Sequence, residues 1–136
     1  MRPPPRTRAA LAATAAAALA ATALTGARAA SILDFDIWMR AIDKRSVEVQ
    51  RNIEARKADA ASADARELAR LYALMETYFV DDGHAPDAVT LSQSGRTLAA
   101  GISASLAAQD FDGAARSALS IAHACNDCHD NHKPFQ

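Results

Sequence analysis

From about residue 33 to about residue 132 the apolar side chains recur at steps of three and four, and no β-branched stretch alternates at a step of two. The first period buries one face of a helix, whereas a half-buried strand needs the second. An all-α chain of four helices is therefore predicted. The first, helix A (about 33–57), carries Phe35, Met39, Ile42, Val49 and Ile53 on one stripe, with Ser46 in the missing turn and Trp38 at its flank. Asp43, Lys44, Arg45, Glu48 and Arg51 form its outer face. Helix B (about 64–80) takes Ser62 or Asp64 as its N-cap and lines up Ala65, Leu68, Tyr72, Met75 and Phe79. The run Asp81-Asp82-Gly83-His84-Ala85-Pro86 ends it. Helix C (about 88–108) turns Leu91, Leu98, Ile102 and Leu106 inward, while Gly95 and Gly101 either weaken it or let a neighbour approach. Helix D starts near Asp110 or Asp112 and buries Ala114, Ala118, Ile121, Ala122 and Cys125. Short connections favour antiparallel neighbours, hence an up-down-up-down four-helix bundle.

Upstream of these stripes the composition changes. Arg2, Arg6 and Arg8 precede an Ala/Leu/Thr-rich run, which closes on Ala27-Arg28-Ala29. A basic start, a short apolar run and an A-x-A site make a secretory signal, expected at 1–29 with cleavage after Ala29, and a single domain at 30–136. The apolar run is shorter than the roughly 20 residues a membrane span needs, so no membrane attachment is expected after cleavage. Cleavage removes Arg2, Arg6, Arg8 and Arg28 and no acid, moving the formal charge from −1 to −5. A surface of that sign does not suit nucleic acid. It does suit transient docking on a basic face of a redox partner.

The chemistry of the chain is concentrated near its end. Cys125-Asn126-Asp127-Cys128-His129 is C-x-x-C-H, the attachment motif for a c-type haem. A helical step of three puts both thiols on one side, where each reaches one vinyl group of the same porphyrin edge. His129 follows at once and is the expected proximal iron ligand. Two rival readings are a redox dithiol and a zinc or copper site. The dithiol belongs beside a βαβ pattern that this chain lacks. The metal site would have to draw on Cys125, Cys128 and two of His123, His129 and His132, which crowd one helix.

With the motif in its last helix, the chain resembles the class II c-type cytochromes, of cytochrome c-prime type. Gln109-Asp110-Phe111-Asp112 and Ile121-Ala122-His123-Ala124 look like the segments that open that family's last helix and precede its motif. After the motif the family shows two residues, an aromatic and a basic one. Here Asp130-Asn131 are followed by His132 and Lys133, so the basic position is kept in kind and His replaces the aromatic. The resemblance spans the mature chain, although the C-terminal helix carries its specific part. It implies the same antiparallel bundle, with one covalent haem on the C-terminal helix, in the periplasm. Members often pair through their first two helices; a homodimer is thereby an expectation, although no separate apolar patch in the sequence demands it.

Within that family function turns on the other face of the iron. One branch places a methionine of the first helix there and carries electrons. The other leaves the face open and apolar and binds nitric oxide or carbon monoxide. Met39 is the candidate distal ligand: early in A, it falls level with His129 near the end of D to within roughly one turn at 1.5 Å per residue. Met75, near the end of B, is the competing thioether, expected to be less well aimed because B should lie diagonal to D. Where the family often carries an arginine four residues before that methionine, this chain has Phe35. Trp38 is expected to pack in the haem pocket, Lys133 to pair with a propionate, and Tyr72 and Tyr78 to sit at the core edge with hydroxyls toward solvent. His84 reads as a solvated loop residue. No nucleophile–base pair and no inward pair of acids points to an enzyme. The expectation is a one-electron carrier with His129 and Met39 on the iron, the alternative a five-coordinate gas-binding protein.

Overall fold

The computed structural model describes residues 29–131 and contains four α-helices and no strand among them. The signal expected at 1–29 lies, apart from Ala29, outside the described residues, as do His132 and Lys133. The helices are α1 (Ile32–Glu54), α2 (Ala58–Asp82), α3 (Pro86–Ala107) and α4 (Phe111–Asn131). Each packs against two others: α1 on α2, α2 on α3, α3 on α4 and α4 on α1. Among the described residues the backbones of the diagonal pairs, α1 with α3 and α2 with α4, do not approach each other closely. None of these helices is long and apolar enough to cross a membrane.

Local chemistry sets the boundaries. Ser31 caps α1: its hydroxyl accepts from the Asp34 backbone N–H at 3.2 Å, and the Asp34 carboxylate accepts from the Ser31 N–H at 2.8 Å. Gly83 closes α2 in the left-handed region, at φ 71°. Pro86 stands in the first turn of α3, where its missing N–H costs nothing. Asp110 caps α4 by accepting from the Gly113 N–H at 2.7 Å.

The start of α2 departs from the sequence reading. The helix begins at Ala58, one to two turns before Ser62 or Asp64. Asp64 caps nothing. It is buried within the helix, where it accepts from Arg45 Nη1 at 2.8 Å and Asn52 Nδ2 at 2.7 Å, both on α1. Its type suits a cap, but a carboxylate at that depth is held by the two donors across the interface. Asp64→Ala is expected to destabilise the fold by about 2 kcal/mol in urea unfolding, because both donors lose a charged acceptor.

The core follows the four stripes. Ile42, Val49 and Ile53 meet Leu68, Leu71, Ile102, Leu106 and Ile121 with almost no exposure. Alanines at 61, 65, 99, 114 and 118 let the helices approach closely. Ser46 sits in this apolar seam, and its buried hydroxyl finds no hydrogen-bond partner among the described residues. Ser46→Ala is accordingly expected to raise stability by about 1 kcal/mol in the same unfolding assay.

Candidate functional site

The apolar stripes do not close at the end of the bundle where α1 begins and α4 ends. Two adjoining hollows lie there, an inner one of ≈ 40 Å³ and an outer one of ≈ 270 Å³. All four helices line the inner hollow: Met39 and Ile42 from α1, Tyr72 and Met75 from α2, Leu91 and Ser92 from α3, and Cys125 from α4. The outer hollow opens between α1 and α4, with Asp36, Arg40 and Asp43 at its rim. Met39, Met75, Phe79, Cys128 and His129 line both.

The C-x-x-C-H segment is helical throughout, inside α4. Cys125 and Cys128 are half-buried and unbridged. The three-residue step turns both toward the hollows, while His129, one step on, is largely exposed but still lines them. Burial raises both thiols above their ordinary pKa, so neither ionises at neutral pH. For Cys128 the neighbouring Cys125 and Asp87 add to the effect. This is the reverse of an activated redox dithiol, whose thiolate is favoured by positive surroundings. Among the described residues no group of three or more His, Cys, Asp or Glu side chains could hold a metal ion.

Both candidate thioethers reach the site. Met75 is nearly inaccessible, at 4% exposure, and Met39 is partly buried. Sequence reasoning placed Met75 on a helix diagonal to α4, and the backbones of α2 and α4 indeed stand apart among the described residues. A methionine side chain spans that gap, so Met75 lines the same hollows as His129. An aromatic trio seals the side beside them. Phe35 lies tilted on Tyr78 at 5.0 Å and meets Phe79 edge to face at 5.6 Å, and those two meet edge to face at 5.5 Å. Phe35, at the position expected for an arginine, is thus part of an apolar wall.

Trp38 is not part of this site. It lines a separate groove with Leu74, Thr77 and Tyr78, on the outer side of the α1–α2 pair. One residue advances a helix by about 100°, so the neighbour of an inward Met39 faces the flank. His84 is exposed beside Asp82, at 3.5 Å, and lines neither hollow.

Tyr72 is the residue whose place the sequence did not disclose. Its hydroxyl was expected toward solvent, yet it is 8% exposed and sits 3.7 Å from Cys125 Sγ. The cause lies on α3. A Cβ at Gly95 would overlap the Tyr72 ring, so the glycine is the clearance that lets the ring lie across the interface. Gly95 was the available signal, read as either a local weakening of the helix or a close approach, without naming what approaches.

Taken by chemistry, the site offers two neutral thiols able to form thioethers, one imidazole, two thioether sulfurs and an apolar lining. That donor set fits a covalently held haem and leaves no cluster of anionic ligands for a bare cation. No protein-family model, curated protein or solved structure matches the chain.

Proposed function

We propose that the chain is a periplasmic c-type cytochrome that holds one haem on α4 and carries single electrons between partner proteins. The observation that supports this most is the meeting of Cys125, Cys128 and His129 with two methionines around one apolar opening. The proposed architecture is the antiparallel up-down-up-down bundle. Its support is that helices of 21–25 residues pack as sequential neighbours across links of a few residues. A helix of that length is about 30 Å long, and so short a link cannot return the chain to the starting end.

Bound there, the haem would supply an iron that gains and releases one electron. The roles of the chain's own residues follow from their chemistry. Cys125 and Cys128 would hold it through thioether bonds to its two vinyl groups, each thiol hydrogen going to the adjacent vinyl carbon, so no oxidant would be consumed. His129 would bind the iron through nitrogen and Met39 through sulfur. A thioether opposite an imidazole favours reduced iron and raises the potential. Leu91, Phe35 and Phe79 exclude water from the site. At the rim Arg40 pairs with Asp36 at 3.0 Å, which leaves Asp43 to present negative charge to a basic partner face, and such docking is small and transient. No substrate is transformed.

The test is a haem stain of the exported protein after a denaturing gel, since only covalently bound haem stays with the chain. A stained band at the mature mass supports the proposal. A colourless band from cells competent to mature other c-type cytochromes refutes it.

A further inference from the structure

Resting on the haem reading above, we propose that Tyr72 is a positioning residue for the cofactor, donating a hydrogen bond to the sulfur through which Cys125 holds the haem and drawing the iron's potential upward.

Three features of the structure lead there. The first is the contact itself. Tyr72 Oη and Cys125 Sγ are 3.7 Å apart, and in the thiol form either atom can be the donor. Once the sulfur carries carbon in place of hydrogen it can only accept, so the phenol must donate. The second is burial. Tyr72 is 8% exposed, which leaves its hydroxyl little access to water as a substitute partner. Burial, with the nearby cysteines adding to it, also pushes its ionisation far above the ordinary value, so it remains a proton donor throughout the physiological range. The third is the built clearance. Gly95 on α3 is buried, and any side chain there would overlap the Tyr72 ring. Residues on three helices therefore converge on one contact: Gly95 admits the ring, α2 carries it, and α4 presents the sulfur.

A donor on that sulfur withdraws electron density from the haem edge, which favours the reduced state. The bond is weak for a hydrogen bond, as bonds to sulfur are, so its effect is a tuning of the potential and not the attachment itself.

The test compares the haem-loaded full chain with Tyr72→Phe, Gly95→Ala and the control Tyr78→Phe, which removes a hydroxyl from a residue that lines neither hollow. For each, haem stain, pyridine-haemochrome spectrum and reduction potential are measured. Tyr72→Phe is expected to keep the stain and a spectrum of two thioethers, and to shift the potential downward. Gly95→Ala, by displacing the ring, is expected to shift it the same way, and the double variant no further than the larger single shift. Tyr78→Phe is expected to leave it in place. An unchanged potential in Tyr72→Phe overturns the proposal while leaving the cytochrome reading intact. An equal shift in Tyr78→Phe overturns it too, by showing a general response to a lost phenol. Should Gly95→Ala fail to fold, the two phenylalanine variants decide alone. A parent chain without covalent haem overturns both readings together.

Discussion

Met39→Ala is expected to convert the haem-loaded protein from a low-spin to a high-spin spectrum, to lower its reduction potential, and to make the reduced form bind carbon monoxide. Met39 is partly buried on α1 and lines both hollows together with His129. Alanine removes the thioether without adding a polar group, and the emptied volume lies against apolar walls. The fold itself should lose comparatively little, because the deeply buried anchors of α1 are Ile42, Val49 and Ile53. Met75 gives the experiment its sharpest alternative. If Met39→Ala remains low-spin and Met75→Ala turns high-spin, the distal ligand is on α2. Optical spectra of both variants, oxidised, reduced and reduced with carbon monoxide, separate the outcomes.

Replacing both cysteines, Cys125→Ala with Cys128→Ala, is expected to abolish the haem stain completely. Each single variant should retain a stained band, with a pyridine-haemochrome spectrum shifted toward that of one unsaturated vinyl group. The two thiols are the chain's only cysteines, so no third sulfur can substitute. Both line the inner hollow and are unbridged, which gives each an independent bond to lose. Retention of covalent haem in the double variant would contradict the assignment of the attachment site.

The number of helices, their apolar faces and the position of the motif were legible because each depends on spacing along one helix. Ile42, Val49, Ile53, Leu68, Ile102, Leu106 and Ile121 are all buried, as their stripes imply. Less legible was whatever depends on a second helix. Asp64 has the chemistry of an N-cap, and only the arrival of Arg45 and Asn52 from α1 explains a carboxylate buried in mid-helix. Trp38 adjoins Met39 in sequence, yet the 100° step between them sends it to a different groove. Tyr72 was assigned to the core edge because tyrosines commonly keep their hydroxyl in water; Gly95, from the facing helix, gives that ring a buried place. Within the site, the cysteines and His129 were legible from a contiguous motif. Met39 and Met75 were both read as candidates at that end; that Met75 reaches the same hollows was not legible, since it depends on how far α2 and α4 stand apart across the bundle.

The central claim, a six-coordinate one-electron carrier, is tested most directly by the visible spectrum of the purified haem-loaded protein in its oxidised and reduced forms and after addition of carbon monoxide to the reduced form. The account predicts sharp low-spin bands on reduction, a weak far-red sulfur-to-iron band on oxidation, and no change with carbon monoxide. Broad high-spin bands that shift on adding carbon monoxide would contradict it, placing an open distal face beside Met39 and making the protein a binder of small gases.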